Sequence, residues 1–273
     1  MKVGIVAQRN NKPAAALAAV IARALSERDV TPFVDRTTAR EVDVPSIPTP
    51  ELDTCDLVVS IGGDGTLLYA ARGAGATPIL GVNLGQVGFL NAIPPDEAVD
   101  TITDAVEELR EGDLSIMTLP RLQASGEGWE LPPATNEAVV MGARRGHGNE
   151  VHVEVRIDDN HYTETEADGV MVATPTGSSA YNLSEGGPLV HPAVRGLVVT
   201  EMCADEAMPS LIVETDSEIE VEVDGPDHGN VICDGRSRRR IDLPATVTIS
   251  TRTVPIRLAT SQVEFYSALD KLE

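Results

Sequence analysis

The chain has 273 residues, enough for two domains of ordinary size, each with its own core. Its formal charge of −22, with only Lys2, Lys12 and Lys271 beside eighteen arginines, excludes nucleic-acid binding through an overall electrostatic field. The acidic residues are scattered through periodic, apolar-rich sequence, which argues against a disordered acidic tail and points to a surface kept hydrated in high salt.

Met1 to Ala7 reads as a first strand, and no apolar run is long enough to span a bilayer, so a soluble cytoplasmic protein with no membrane partner is expected. Further strands are expected at Val30 to Val34, Leu57 to Ile61 and Pro78 to Val82, with helices at Pro13 to Ser26 and Thr66 to Arg72. Strands alternating with helices imply a parallel, right-handed α/β sheet. Pro45, Pro48 and Pro50 punctuate a loop, and Val99, Ile102, Val106 and Leu109 give Asp96 to Arg110 the spacing of a helix that closes a first domain, residues 1–112. Beyond Gly112 the texture becomes short alternating runs, Val151 to Ile157, Ile219 to Val223 and Ala245 to Ser250, separated by turns such as Asp158-Asp159-Asn160 and Asp224-Gly225-Pro226. Residues 113–254 therefore read as a mostly antiparallel β domain. The apolar stretch Val263 to Tyr266 is expected to return residues 255–273 to the first domain. Cys55, Cys203 and Cys233 are odd in number and far apart, which argues against a disulfide framework.

Four segments carry chemistry. In the first, the apolar strand Leu57 to Ile61 stops at Gly62-Gly63-Asp64-Gly65-Thr66. The glycines can take positive φ and let a polyphosphate approach the backbone, while Thr66 can cap a helix whose free N–H groups point at the same anion. A carboxylate there repels phosphate, so Asp64 is expected to hold Mg²⁺ or to take a proton from an attacking hydroxyl. A plain Gly-Asp-Gly turn is the structural alternative. The second segment, Asn83 to Leu90, follows a strand at the same sheet edge, and two glycine loops on one edge make a crevice with Phe89 placed to stack on a ligand ring or to pack in the core. In the third, Asn136-Glu137 pairs an amide with a carboxylate, which suits two ribose hydroxyls, although taken alone the pair reads more readily as an ordinary polar strand entry. The fourth runs from Asp168 through Thr174-Pro175-Thr176-Gly177-Ser178-Ser179-Ala180-Tyr181-Asn182-Leu183-Ser184 to Pro188, and gathers hydroxyls and backbone N–H groups beside a tyrosine able to stack on a base. His147, His152, His161, His191 and His228 show no zinc spacing, so no metal site built by the protein is expected. Arg236 to Arg240 is the one basic cluster, suited to a phosphate or to the solvated face of a strand.

In this order the four segments resemble the NAD kinases, which carry a GGDGT loop, an NxGxxGFL loop, an Asn-Glu or Asn-Asp pair and a DGxxxxTPTGSTAYxxSAGGP block. The match runs from Val3 to about Arg240. Its first loop is shared with diacylglycerol and sphingosine kinases and phosphofructokinases, whereas the block from Asp168 to Pro188 is far more specific. The resemblance implies an α/β domain followed by a β-sandwich domain, ATP and NAD as substrates, Mg²⁺ or another divalent cation arriving with ATP, and a homodimer or homotetramer. It implies that Asp64 accepts the proton of the ribose 2′-hydroxyl with Gly65 beside the substrate. It further implies that Gly62, Gly63 and Thr66 flank the phosphates, and that Asn136, Glu137 and Asp168 grip the dinucleotide. Ser179, Ala180, Tyr181, Asn182, Leu183 and Ser184 would line the adenosine site, Phe89 would be another wall, and Thr176 and Arg236 are further expected cofactor contacts.

Some positions depart from the pattern. Ser179 replaces Thr, Glu185 replaces the Ala of SAGGP, Glu166 stands where some members have Lys or Arg, Met208 precedes Pro209 where Arg is frequent, and Arg236 replaces Gln. Glu185, Glu166 and Met208 motivate an alternative, a non-catalytic NAD or NADP sensor on the same scaffold.

Overall fold

The computed structural model describes residues 1–85, 89–91, 93–204, 207–251, 253–260 and 265–269. Gln86, Val87 and Gly88 of the second glycine segment, and Val263 and Glu264 of the last apolar stretch, lie outside the described residues. The chain divides into two compact units, Met1–Leu119 with Pro255–Glu273, and Pro120–Val254.

The first unit is built on a seven-stranded sheet in the spatial order Ser46–Ile47, Thr31–Asp35, Lys2–Ala7, Leu57–Ile61, Ile79–Val82, Ile256–Leu258, Met117–Leu119. All neighbours are parallel except the last pair. The period-two alternation of a strand sorts its side chains onto two faces. Val3, Ile5, Leu57, Val59 and Ile61 meet Ala14, Ala18, Ile21 and Leu25 of helix Lys12–Ser26 and Ile102 and Val106 of helix Ala98–Glu111. Val6 and Val58 meet Leu67, Ala70 and Ala74 of helix Asp64–Ala74 on the other face. Both faces are covered, which is why Leu57 to Ile61 is apolar without interruption except for Ser60. The proline-rich segment is not only a loop, because Ser46–Ile47 adds an edge strand beside Thr31–Asp35.

Strand Lys2–Ala7 sends the chain to one side of the sheet and Leu57–Ile61 continues on the other, so the order reverses between them. Open α/β sheets bind ligands outside the carboxyl ends of the strands at such a switch point. The register pairs Ala7 with Ile61 and Ile61 with Val82, which aligns the ends that precede Gln8, Gly62 and Asn83.

The second unit is a sandwich of two six-stranded antiparallel sheets. One runs in the order Asn160–Ala167, Val151–Ile157, Ile219–Asp224, Ala245–Ser250, Gln123–Gly126, Trp129–Glu130; the other runs Leu211–Val213, Leu197–Met202, Gly169–Ala173, Glu137–Gly142, His228–Cys233, Ser237–Asp242. Val153, Val155, Val221, Val223 and Ile249 of the first sheet face Ala138, Val140, Val170, Val172 and Val231 of the second across one core. The alternate residues Val139, Met171 and Met202 turn to the opposite face of the second sheet, where Tyr181 packs on them. That outer face therefore carries the Asp168 to Pro188 block, and strand Gly169–Ala173 is buried on both sides. Among the described residues no helix is long and apolar enough to cross a membrane.

Candidate functional site

In the first unit the helix after Leu57–Ile61 begins earlier than its sequence suggests. Gly63 is its N-cap and Asp64 its first residue, so Thr66 lies inside the helix and does not cap it. Of the three glycines only Gly62 has positive φ, 153°. A Cβ at Gly62 would lie 2.5 Å from Thr66 Oγ1 and 2.9 Å from Gln8 Cβ, so the strand ends close on it. Gly63 and Gly65 are exposed and face open space, and Gly65 is helical.

The half-buried Asp64 carboxylate is the organising group of this edge. Its Oδ2 accepts the Phe89 amide at 2.9 Å, and its Oδ1 accepts the Leu90 and Asn91 amides at 3.2 and 3.3 Å. Asn91 Nδ2 donates to the Gly62 carbonyl at 3.1 Å, so the two glycine segments are tied from both sides. Charge-assisted bonds of this kind hold the carboxylate in one orientation and leave lone pairs for a further donor. Phe89 is half-buried, its ring centroid 5.7 Å from that of Phe265.

In the second unit Asn136-Glu137 and the Asp168 to Pro188 block come together through main-chain contacts. Thr174 N–H donates to the Asn136 carbonyl at 2.9 Å, and Thr174 Oγ1 donates to the Thr135 carbonyl at 2.6 Å. Gly177 lies against the same peptide, where a Cβ would meet the Asn136 oxygen at 2.0 Å. Asp234, in a turn with φ of 49°, accepts the Thr135 amide at 3.0 Å and the Asn136 amide at 2.8 Å. Asp-Gly reads in sequence as a turn and nothing more, and no local signal reveals a partner 98 residues away.

Glu137 is 5% exposed and its Oε2 has no hydrogen-bond partner. Burial, then the field of Asp234, raises its carboxyl to about 7, while a backbone hydrogen bond from Tyr181 acts in the opposite direction. A buried, unsatisfied carboxylate oxygen is costly unless a ligand donor meets it. Thr176 Oγ1 is likewise buried without a partner.

Asp168 is 2% exposed and its carboxylate faces the loop after strand Glu137–Gly142: Oδ1 accepts the Gly146 amide at 2.7 Å and Oδ2 accepts Arg145 Nε at 3.3 Å. Arg145 Nη1 also donates to the Tyr181 hydroxyl and Nη2 to Glu185 Oε1 at 2.8 Å. Glu185 is therefore paired, not a loose charge, and Arg145 is a member of the cluster that sequence reasoning missed. Tyr181 is half-buried; burial and then Glu185 push its phenol up to about 12.

The remaining expected residues differ in position. Ser179, Ala180 and Leu183 are half-buried and Ser184 is exposed. Asn182 is fully buried: its Nδ2 donates to the Ser178 and Pro188 carbonyls at 3.3 and 3.1 Å, and its Oδ1 accepts Thr200 Oγ1 at 3.0 Å. Its side-chain amide therefore brackets the loop. Arg236 is exposed in the Asp234 turn; Arg238 Nε donates to Asn230 and the Arg239 guanidinium lies 5.5 Å over the Trp129 ring. Glu166 is exposed on the edge hairpin beside His152.

Residues 3–110 match the family model of the ATP-NAD kinase N-terminal domain, and residues 135–260 match that of the ATP-NAD kinase C-terminal domain. The NAD kinase of Haloarcula marismortui is 54% identical and that of Natronomonas pharaonis 51% identical, each over the whole of both chains. The crystal structure of an NAD kinase from Archaeoglobus fulgidus in complex with ATP superposes with a TM-score of 0.79 at 25% identity, covering 100% of this chain and 98% of that one. With a parallel α/β unit, an antiparallel sandwich and these matches across both, the chain belongs to the NAD kinase family.

Proposed function

We propose that Asp64 is the base of a phosphoryl transfer in which the adenosine 2′-hydroxyl of NAD attacks the γ-phosphorus of ATP. The 2′-oxygen bonds to phosphorus, the bond to the β-phosphate oxygen breaks with its electron pair leaving on ADP, and Asp64 takes the hydroxyl proton. The observation that carries this role is the carboxylate at the switch-point edge, held by three backbone amides at 2.9 to 3.3 Å. Phosphoryl transfer depends mainly on positioning and charge neutralisation, and a fixed carboxylate supplies the first. A chain with a net charge of −22 has little to neutralise a triphosphate, so the divalent cation enters as part of the ATP complex. The exposed backbone at Gly63 and Gly65 receives the phosphates, while Asn136, Glu137, Asp168 and Tyr181 hold the dinucleotide. Glu137 Oε2 and Thr176 Oγ1 are the two buried acceptors that this ligand satisfies. The active protein is a soluble cytoplasmic homo-oligomer, a dimer or tetramer that sedimentation in molar salt will distinguish.

Asp64→Asn tests the assignment. Losing a general base costs about 10²- to 10⁴-fold in turnover, with NAD binding by calorimetry largely kept. Unchanged turnover in the variant overturns it. The non-catalytic alternative predicts NAD binding with no ATP-dependent NADP; the pairing of Glu185 with Arg145 removes one of its motives.

A further inference from the structure

The loop after strand Glu137–Gly142 is irregular, with Gly146 and Gly148 both at positive φ, and it turns Arg145 back over the outer face of the sheet. Three guanidinium nitrogens reach three different side chains: Nε to Asp168 at 3.3 Å, Nη1 to the Tyr181 hydroxyl, and Nη2 to Glu185 at 2.8 Å. The guanidinium carbon also stands 5.8 Å from the centroid of the Tyr181 ring. The Asp168 and Glu185 side chains are 3% and 11% exposed, so this one cation compensates two carboxylates that are nearly out of water. Without it each would lose the cation it is paired with while staying nearly out of water.

We infer that Arg145 is a positioning residue of the dinucleotide site, a three-way bracket that sets the Asp168 carboxylate and the Tyr181 ring for the ligand and is itself oriented by Glu185. The inference rests on the reading that Asp168 and Tyr181 touch NAD. Only a planar guanidinium fits the task, because its donors diverge at fixed angles, whereas a lysine ammonium is a point charge on a flexible stem. The loop amide of Gly146 fixes Asp168 Oδ1 at 2.7 Å and Arg145 fixes the other oxygen, so side chain and backbone of one loop set the plane of the carboxylate together. The acidic residue at position 185 then has a purpose: it holds the guanidinium between Asp168 and Tyr181.

The test is steady-state kinetics of Arg145→Ala, Arg145→Lys, Glu185→Gln, Asp168→Ala and the exchange of Arg145→Glu with Glu185→Arg, each followed by thermal unfolding. Arg145→Ala should raise the KM for NAD roughly 10- to 100-fold, the worth of one or two charge-assisted hydrogen bonds. The kcat and the KM for ATP should stay within about threefold, because turnover and ATP binding make no direct use of this bracket. Arg145→Lys should recover part of the loss, and Glu185→Gln, which keeps a hydrogen-bond acceptor, should give a smaller rise than Arg145→Ala. The exchange should restore nothing, because it sets a glutamate against Asp168. A coupled loss of kcat, NAD affinity and melting temperature, the mark of a purely structural ion pair, overturns the inference, as does rescue by the exchange or a wild-type KM in Arg145→Ala. Asp168→Ala separates the two levels. If it loses NAD while Arg145→Ala does not, only the bracket is wrong; if it binds NAD normally, the reading of the site fails and the bracket with it.

Discussion

Glu137→Gln should make the protein more stable at pH 8 while weakening its hold on NAD. Glu137 is 5% exposed and its carboxyl rises from 4.5 to about 7, chiefly through burial and next through Asp234. Its folded value lies above its unfolded one, so between these values the folded state binds more protons than the unfolded chain. Stability then falls as pH rises through that window and levels off above it. At about 1.4 kcal/mol per unit, a shift of this size corresponds to roughly 3 kcal/mol of destabilisation once the group is ionised in both states. The amide has no proton to lose and removes this component. Guanidinium unfolding followed by circular dichroism at pH 5, 6, 7 and 8, in constant molar salt to screen the surface carboxylates, should show the variant gaining on the wild type as pH rises, by up to about 3 kcal/mol. The comparison with wild type cancels the titrating groups that Glu137 does not influence, leaving Asp234 and Cys233, which share its field, in the difference. A stability difference that stays flat from pH 5 to 8 refutes the reasoning, because Glu137 would then ionise in the folded protein as freely as in the unfolded chain. The loss of NAD affinity follows if Oε2, which has no partner within the protein, accepts a ligand hydroxyl. This is a stability and activity trade-off confined to one atom.

Two glycines should separate packing from ligand approach. Gly177→Ala places a Cβ 2.0 Å from the Asn136 carbonyl oxygen, so it should cost about 1 to 3 kcal/mol of stability and raise the KM for NAD, read by chemical unfolding and initial rates. Gly63→Ala meets nothing within 4 Å and has a φ of −90°, so it should cost at most the roughly 1 kcal/mol by which alanine is the poorer N-cap. Its KM for ATP should nonetheless rise about tenfold if phosphate oxygens approach that backbone; an unchanged KM places the triphosphate elsewhere.

What the sequence disclosed and what it hid differ in the range of the interactions involved. Leu57 to Ile61 reads as a strand because all five side chains are buried, and Val151 to Ile157 reads as a half-exposed strand because Val151, Val153 and Val155 alternate with polar residues. Both patterns are local, and the two-unit architecture of parallel and antiparallel sheets follows from them. Strand Ser46–Ile47 is two residues long and has no period to read. A threonine after a glycine suggests a cap at Thr66, whereas the helix starts at Asp64 and Gly63 caps it with no side-chain bond.

The site shows the same division more sharply. Asp64, Glu137 and Asp168 stand out as acidic residues beside strand ends, but the groups that orient them come from far along the chain: Phe89 to Asn91 for Asp64, Asp234 for Asn136, Arg145 for Asp168. No window of ten or twenty residues contains both members of any of these pairs. Conversely, Asn182 sits inside the most specific motif and yet is sealed within the loop, its amide spanning Ser178, Pro188 and Thr200. A motif of this length specifies a loop shape as well as a set of ligand contacts, and the letters alone do not sort one from the other. Burial does: Asn182 is fully buried with its polar atoms satisfied, whereas Glu137 and Thr176 are buried with an oxygen left over. Ser60, Asn91, Glu201 and Thr215 also keep a buried oxygen without a partner, so a leftover oxygen argues for a ligand only where a motif segment points the same way, as at Glu137 and Thr176. In the proposed reading of the site the dinucleotide meets Glu137 and Thr176, with Asn182 behind them as support.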